Sequence, residues 1–159
     1  WEAIGKKTLL INHTSDTRTK EYVSTHNKNI KKALKISHLM PLTTNNKLDA
    51  YDIIGIDEAQ FFPDLKPFIL KLEKTKKQIY ISGLDGDFQR KPFGQILDCI
   101  PLCDTVIKFQ AMDMISNDGT PAPFTKRISE KNNDQIVVGA GEIYKAVNRE
   151  NFLKHNSIL

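Results

Sequence analysis

The chain has 159 residues, 40% of them hydrophobic and 26% charged, with a net charge of +4 and a pI near 9.0. That is room for one domain with a packed core and a small appendage, while no apolar run approaches the roughly 20 residues that span a bilayer and no secretory leader is read ahead of the first strand. Two cysteines, Cys99 and Cys103, exclude a disulfide framework and favour a reducing compartment; the mild basic excess is scattered and not interleaved with aromatics, which argues against nucleic-acid binding.

In chain order, Trp1 to Ile4 reads as the end of a helix stopped by Gly5, with Lys6 and Lys7 near its terminal carbonyls. Gly5-Lys6-Lys7-Thr8 is not a phosphate loop, which needs Ser or Thr directly after Gly-Lys and another glycine five residues earlier. Thr8 to Ile11 reads as a short buried strand. Ser15-Asp16-Thr17-Arg18 follows as a polar loop, either a solvated turn or an acid and an arginine placed for a cation and a phosphate. Residues 20–35 are polar and basic, with helical spacing at Ile30, Leu34 and Leu39, and 43–47 reads as a loop.

Ile53-Ile54-Gly55-Ile56 then runs directly into Asp57-Glu58-Ala59-Gln60-Phe61-Phe62. A continuous apolar run suits a strand covered on both faces, as in a parallel sheet, and such sheets hold ligands beyond the carboxyl ends of their strands. Consecutive strand residues point opposite ways, so Asp57 and Glu58 can do different work: one with a magnesium ion, the other with a nucleophile. They could equally begin the next helix, where negative charge is favoured. The residues alone leave both readings open.

Asp64 to Lys77 carries a helical stripe (Leu65, Phe68, Ile69, Leu72), with Pro67 in the first turn, and Gln78 to Leu84 is the next strand. Strand, helix and strand within about 30 residues make a right-handed crossover, hence a parallel sheet. Asp85 to Gly94 is a loop in which Phe88 and Phe93 sit among charges. Ile96, Ile100 and Cys103 suggest a short helix that puts Cys99 and Cys103 on one face as core thiols, and Thr105 to Phe109 reads as a strand. The texture changes near residue 110, where Gly and Pro accumulate. Gln135-Ile136-Val137-Val138-Gly139 is one more apolar strand. Phe88, Phe93 and Tyr144 could be core packing, but the position of Phe88 between Asp87 and Gln89 favours a ligand-facing role.

Four stretches, Ile56 to Asp64, Leu84 to Gly94, Phe124 to Arg127 and Val137 to Tyr144, resemble in order the type II thymidine kinases, the cellular and poxvirus-like family. The resemblance covers nearly the whole chain. It implies an α/β fold with a P-loop NTPase-like parallel sheet and flanking helices over residues 1–110. Residues 111–159 would form a small lasso and zinc-ribbon-like subdomain closing over the nucleoside. It implies a cytoplasmic homotetramer, away from membrane and nucleic acid, that uses ATP and magnesium to phosphorylate the thymidine 5′-hydroxyl in pyrimidine salvage, with thymidine triphosphate as feedback inhibitor.

Carried over position by position, the resemblance makes Glu58 the general base and Asp57 the magnesium-linked acid. Asp16, Thr17, Arg18, Ala59 and Gln60 join these two around the nucleotide. Phe88 would stack on thymine, with Phe61, Leu84, Phe93 and Thr125 around it. Tyr144 and the backbone of Gln135, Ile136, Val137, Val138 and Gly139 would form the lasso.

The family's phosphate loop belongs upstream of Trp1, which suggests a longer protein, and a chain without that loop should transfer phosphate poorly. The alternatives are a catalytically dead nucleotide-binding or assembly module, or a kinase for another deoxynucleoside. The family's zinc positions carry Asp113, Ser116, Asn148 and Asn151 in this chain. These are poor replacements for thiolates, so no tight zinc is expected, and the flanking segments should be held by packing alone.

Overall fold

The computed structural model describes residues 1–16, 22–24, 30–128 and 143–154, with 22–24 and 30 described by backbone alone. The described chain divides into two compact units, Trp1–Asp85 with Phe93–Asp104, and Gly86–Pro92 with Thr105–Leu159.

The first unit is built on a parallel sheet. A single 3₁₀ turn, Glu2–Ile4, ends at Gly5 in the left-handed conformation (φ 76°) and leads into β1, Thr8–His13. β2, Tyr22–Ser24, pairs antiparallel with β3, Ile30–Lys32, while β4, Leu34–Ile36, lies parallel to β1. β5, Ile53–Asp57, pairs parallel with the other side of β1. After α1, Leu65–Leu72, the chain returns as β6, Gln78–Ile81, parallel to β5. The sheet order is β4-β1-β5-β6, the crossover arrangement expected around the Ile53 to Asp57 run.

That apolar run explains itself by burial. Ile53, Ile54 and Ile56 are buried, and Ile11, Phe62, Leu65 and Phe68 are fully enclosed in the same core, each contributing about 1.5–3 kcal/mol. α1 buries its predicted stripe, Leu65, Phe68, Ile69 and Leu72, and stops five residues before Lys77. The short α2, Ile96–Cys99, and a 3₁₀ turn at Ile100–Leu102 complete the unit.

Three expectations need correction. The helical spacing over Ile30, Leu34 and Leu39 is not a helix: Ile30 and Leu34 lie in two strands and Leu39 precedes a 3₁₀ turn, Met40–Thr43, because parallel pairing with β1 supplies the backbone partners for Leu34–Ile36. Thr105 to Phe109 forms no strand: no described strand takes up its backbone hydrogen bonds, and Val106, Ile107 and Phe109 are 56%, 68% and 84% exposed. Strand formers become a strand only against a neighbour. Finally, Cys99 is buried but Cys103 is exposed, with its thiol on the Ile100 carbonyl at 3.0 Å, because the helix tightens to 3₁₀ after Cys99.

The second unit is two small antiparallel ladders. β7, Ala111–Met112, pairs with β8, Pro121–Ala122; β9, Phe124–Arg127, pairs with β10, Tyr144–Val147, which leads into α3, Arg149–Leu153. The predicted strand at 135–139 lies outside the described residues. Among the described residues, no helix is long and apolar enough to cross a membrane.

Candidate functional site

In the first unit, β1 and β5 run the same way and end together, with Asn12 opposite Asp57 in the ladder. Asn12 is wholly buried and its Nδ2 donates to Asp16 Oδ2 at 2.8 Å, while the Lys35 ammonium donates to the Asp16 backbone carbonyl. Asp16 and Asp57 thus leave the same edge of the sheet. The Asn12 Oδ1 is buried and has no hydrogen-bond partner among the described residues. His13 closes the same turn by accepting the Ser15 N–H on Nδ1 at 3.0 Å. Its ring packs edge-on against Phe62, with centroids 4.8 Å apart, and 5.6 Å from Phe61. Burial depresses its pKa below the ordinary 6.5, which suits a neutral ring acting as acceptor.

The two consecutive acids do take different partners. Asp57 ends β5 and accepts the Ser82 hydroxyl at 2.7 Å. Glu58 sits in the left-handed region (φ 51°, ψ 41°) and makes no capping hydrogen bond; only one 3₁₀ turn, Ala59–Phe61, follows it. The helix-start reading is met only by this single turn, which Glu58 precedes without capping it. A non-glycine residue held in this conformation stores about 1–3 kcal/mol, a cost concentrated at functional sites.

Gln60 holds Glu58 in place. Only 4% exposed, its Nε2 donates to Glu58 Oε2 at 2.8 Å and its Oε1 accepts the Leu84 N–H at 3.2 Å. A Cβ on Gly94, itself at φ +59°, would stand 2.1 Å from the Gln60 carbonyl oxygen, so the loop can close over Gln60 only with glycine there. Ala59 is fully buried. Phe61 meets Phe93 edge-on with centroids 5.6 Å apart, and Leu84, whose N–H meets Gln60, is 45% exposed.

In the second unit, Phe88 and Tyr144 come together at 6.2 Å. The Arg127 guanidinium lies over both rings, 5.1 Å from Phe88 and 5.7 Å from Tyr144. Asp87 shapes the Phe88 loop by accepting the Gln89 and Lys91 N–H groups at 2.8 and 2.9 Å. Thr125 pairs with Ala146 across β9 and β10. Thr17, Arg18 and Gln135 to Gly139 lie outside the described residues. Sequence reasoning missed Asn12, His13 and Arg127 and the anchoring role of Gln60. Two polar residues closing an apolar strand were the available signal for Asn12 and His13.

The four positions where the resemblance puts zinc ligands meet in one polar cluster. Asp113, 1% exposed, accepts the Ile115 and Ser116 N–H groups on Oδ1 at 2.7 Å each, and the Asn148 N–H on Oδ2 at 2.5 Å. The Asn151 amide nitrogen lies 3.1 Å from both carboxylate oxygens and 2.8 Å from Ser116 Oγ. Burial by itself would raise the Asp113 pKa, but these donors, led by Asn148, outweigh it and hold the carboxyl well below the usual range. The expectation that packing alone holds these segments is thus corrected: they are tied by hydrogen bonds. Among the described residues, no group of three or more His, Cys, Asp or Glu could hold a metal ion.

The family model described as thymidine kinase matches residues 1–152. The thymidine kinase of vaccinia virus (strain Western Reserve) is 35% identical over 147 residues, covering 92% of this chain and 80% of the viral protein. The cytosolic thymidine kinases of Bos taurus and Homo sapiens are 36% and 35% identical over 151 residues; each match covers 95% of this chain, and 61% and 62% of those proteins. The strand-end acids, the glutamine beneath them and the loop of Phe88 thus belong to a chain that is a member of the thymidine kinase family.

Proposed function

We propose that this chain forms the core of an ATP- and magnesium-dependent thymidine kinase, transferring the γ-phosphoryl group to the thymidine 5′-hydroxyl. The observation that carries this reading is Glu58, held in a strained backbone conformation and fixed at one oxygen by a buried glutamine directly after the strand-end Asp57. In this mechanism the 5′-oxygen forms a bond to the γ-phosphorus, the bond from that phosphorus to the β–γ bridging oxygen breaks, and ADP leaves. Glu58 accepts the 5′-hydroxyl proton. Holding the carboxylate in advance lowers the ordering cost at the moment of reaction.

The residues at the sheet edge fit magnesium. Asp57 and Asp16 are hard oxygen donors, and a buried carboxamide oxygen without a partner among the described residues, Asn12 Oδ1, is the kind of group that a hydrated cation satisfies. Magnesium commonly takes only one or two carboxylates together with phosphate oxygens and water, so a larger acidic cluster is unnecessary. When bound, it supplies positive charge against the phosphates. Phe88 and Tyr144 supply aromatic faces for the pyrimidine, with Arg127 fixing both rings. By the same reading the protein works in the cytoplasm as a homotetramer in a P-loop NTPase-like fold with a C-terminal lasso, with thymidine triphosphate inhibiting it.

The test is thymidine-dependent phosphate transfer from ATP, with the chain joined to an upstream segment carrying a glycine-rich phosphate loop, since residues 1–159 contain none. Glu58→Gln should lower turnover by about 10²–10⁴-fold, the usual worth of a positioned base. Equal rates for the two proteins would remove Glu58 as the base. Thymidine binding without transfer would instead identify a nucleotide-binding module, and faster transfer to deoxycytidine would redirect the substrate.

A further inference from the structure

We infer that, at the place where the family resemblance implies a zinc ion, this chain uses a metal-free clasp: the buried Asp113 carboxylate ties the 113–116 turn to the start of α3 through hydrogen bonds alone. Both carboxylate oxygens of Asp113 are already occupied by donors. Oδ1 receives the Ile115 and Ser116 amides, Oδ2 receives the Asn148 amide, and the Asn151 side chain reaches both oxygens. A cation at the same oxygens would meet the hydrogens of these donors.

The other three positions are spent as well. Asn148 Oδ1 caps α3 by accepting the Asn151 N–H at 2.8 Å, and Ser116 Oγ lies 2.8 Å from the Asn151 amide nitrogen. Neither thiolate nor imidazole is present among the four. Zinc needs deprotonated sulfur, nitrogen or carboxylate ligands with free lone pairs, and this set offers one carboxylate already enclosed by donors.

The clasp also does the mechanical work that such an ion performs. It joins segments 35 residues apart in sequence through Asp113 and Asn148, and 38 apart through Asp113 and Asn151. From the neighbouring strand, the Lys126 ammonium, 7% exposed, donates to the Asn151 carbonyl at 2.7 Å and so anchors α3 from below. A buried carboxylate is tolerated without a counter-cation when enough N–H groups point at it. Asp113 meets that condition.

The experiment is hydrogen exchange on the intact chain, read at the amides of Ile115, Ser116, Asn148 and Asn151, with metal content measured on the same sample. The expected result is sub-stoichiometric zinc after desalting and protection of these amides that is unchanged by excess EDTA. Asp113→Ala should then accelerate their exchange by roughly 10- to 100-fold while leaving the β1 and β5 amides as they were. Stoichiometric bound zinc, loss of protection in EDTA, or wild-type exchange in Asp113→Ala would each overturn the inference. Should Asp113→Ala not fold, Asn151→Asp keeps the shape but sets a second carboxylate against the first; faster exchange at these amides supports the clasp, and unchanged exchange overturns it. Neither readout depends on kinase activity, so failure here is separable from failure of the proposed reaction.

Discussion

Gln60 occupies the middle of a run whose resemblance points to nucleotide contact, yet both ends of its amide are engaged inside the protein, on Glu58 and on the Leu84 backbone. A side chain so placed acts through Glu58. Gln60→Leu should therefore lower kcat by about 10- to 100-fold, the cost of letting a reacting group wander by about an ångström, while KM for ATP stays near its original value. A large rise in KM for ATP with kcat preserved would mean that the amide touches nucleotide instead. His13 carries a pH dependence. Burial lowers its pKa below 6.5, while the Ser37 carbonyl and Asp64 raise it and His38 lowers it. The unfolded chain therefore takes up this proton first, so the contribution is fully present above about pH 6.5 and is lost as pH falls through the depressed folded value. Thermal unfolding between pH 7.5 and 5.5 should show Tm falling in the parent chain and falling less steeply in His13→Phe.

Elements here are joined by a few carboxylates as much as by the core. Asp64 precedes α1 and accepts the Leu39 and Met40 amides at 2.8–3.0 Å, binding the 3₁₀ turn Met40–Thr43 to the start of that helix. Asp64→Ala strands these donors, at a cost of about 2 kcal/mol, and should lower Tm by about 4–8 °C in a melting experiment. Local pattern announced neither this joint nor the Asp113 clasp, because the segments they tie lie 24 to 38 residues apart. What local pattern did announce is informative. The Ile53 to Asp57 strand, the α1 stripe and their parallel crossover were legible, since burial on both faces writes itself as an unbroken apolar run. The pieces at Ile30–Lys32 and Leu34–Ile36 were not, because Leu34–Ile36 draws its partner from β1, far back in the chain, and the spacing of the two pieces suits a helix. Thr105 to Phe109 erred the other way, with good strand chemistry and no described partner. At the site, the acids and aromatics were legible as residue types. The left-handed backbone of Glu58 was not, for a non-glycine residue gives no sign of it.

At the scale of the whole molecule, the kinase reading and the binding-module reading make different claims about free energy. Both require nucleoside to bind the folded chain and not the unfolded one, so stability must rise with ligand by mass action. Thymidine at 100 times its Kd adds about 2.7 kcal/mol, which for a chain of this size raises Tm by about 5–10 °C. Phe88→Ala, which removes the ring packed against Arg127 and Tyr144, should abolish most of that shift. Glu58→Gln should keep it, because a base that acts only as the proton leaves contributes little to holding the ground state. The pair of variants thus separates recognition from chemistry in one melting experiment. A thymidine shift that survives Phe88→Ala would move the pyrimidine slot away from the aromatic pair, and a shift lost in Glu58→Gln would make that carboxylate a binding group before it is a base.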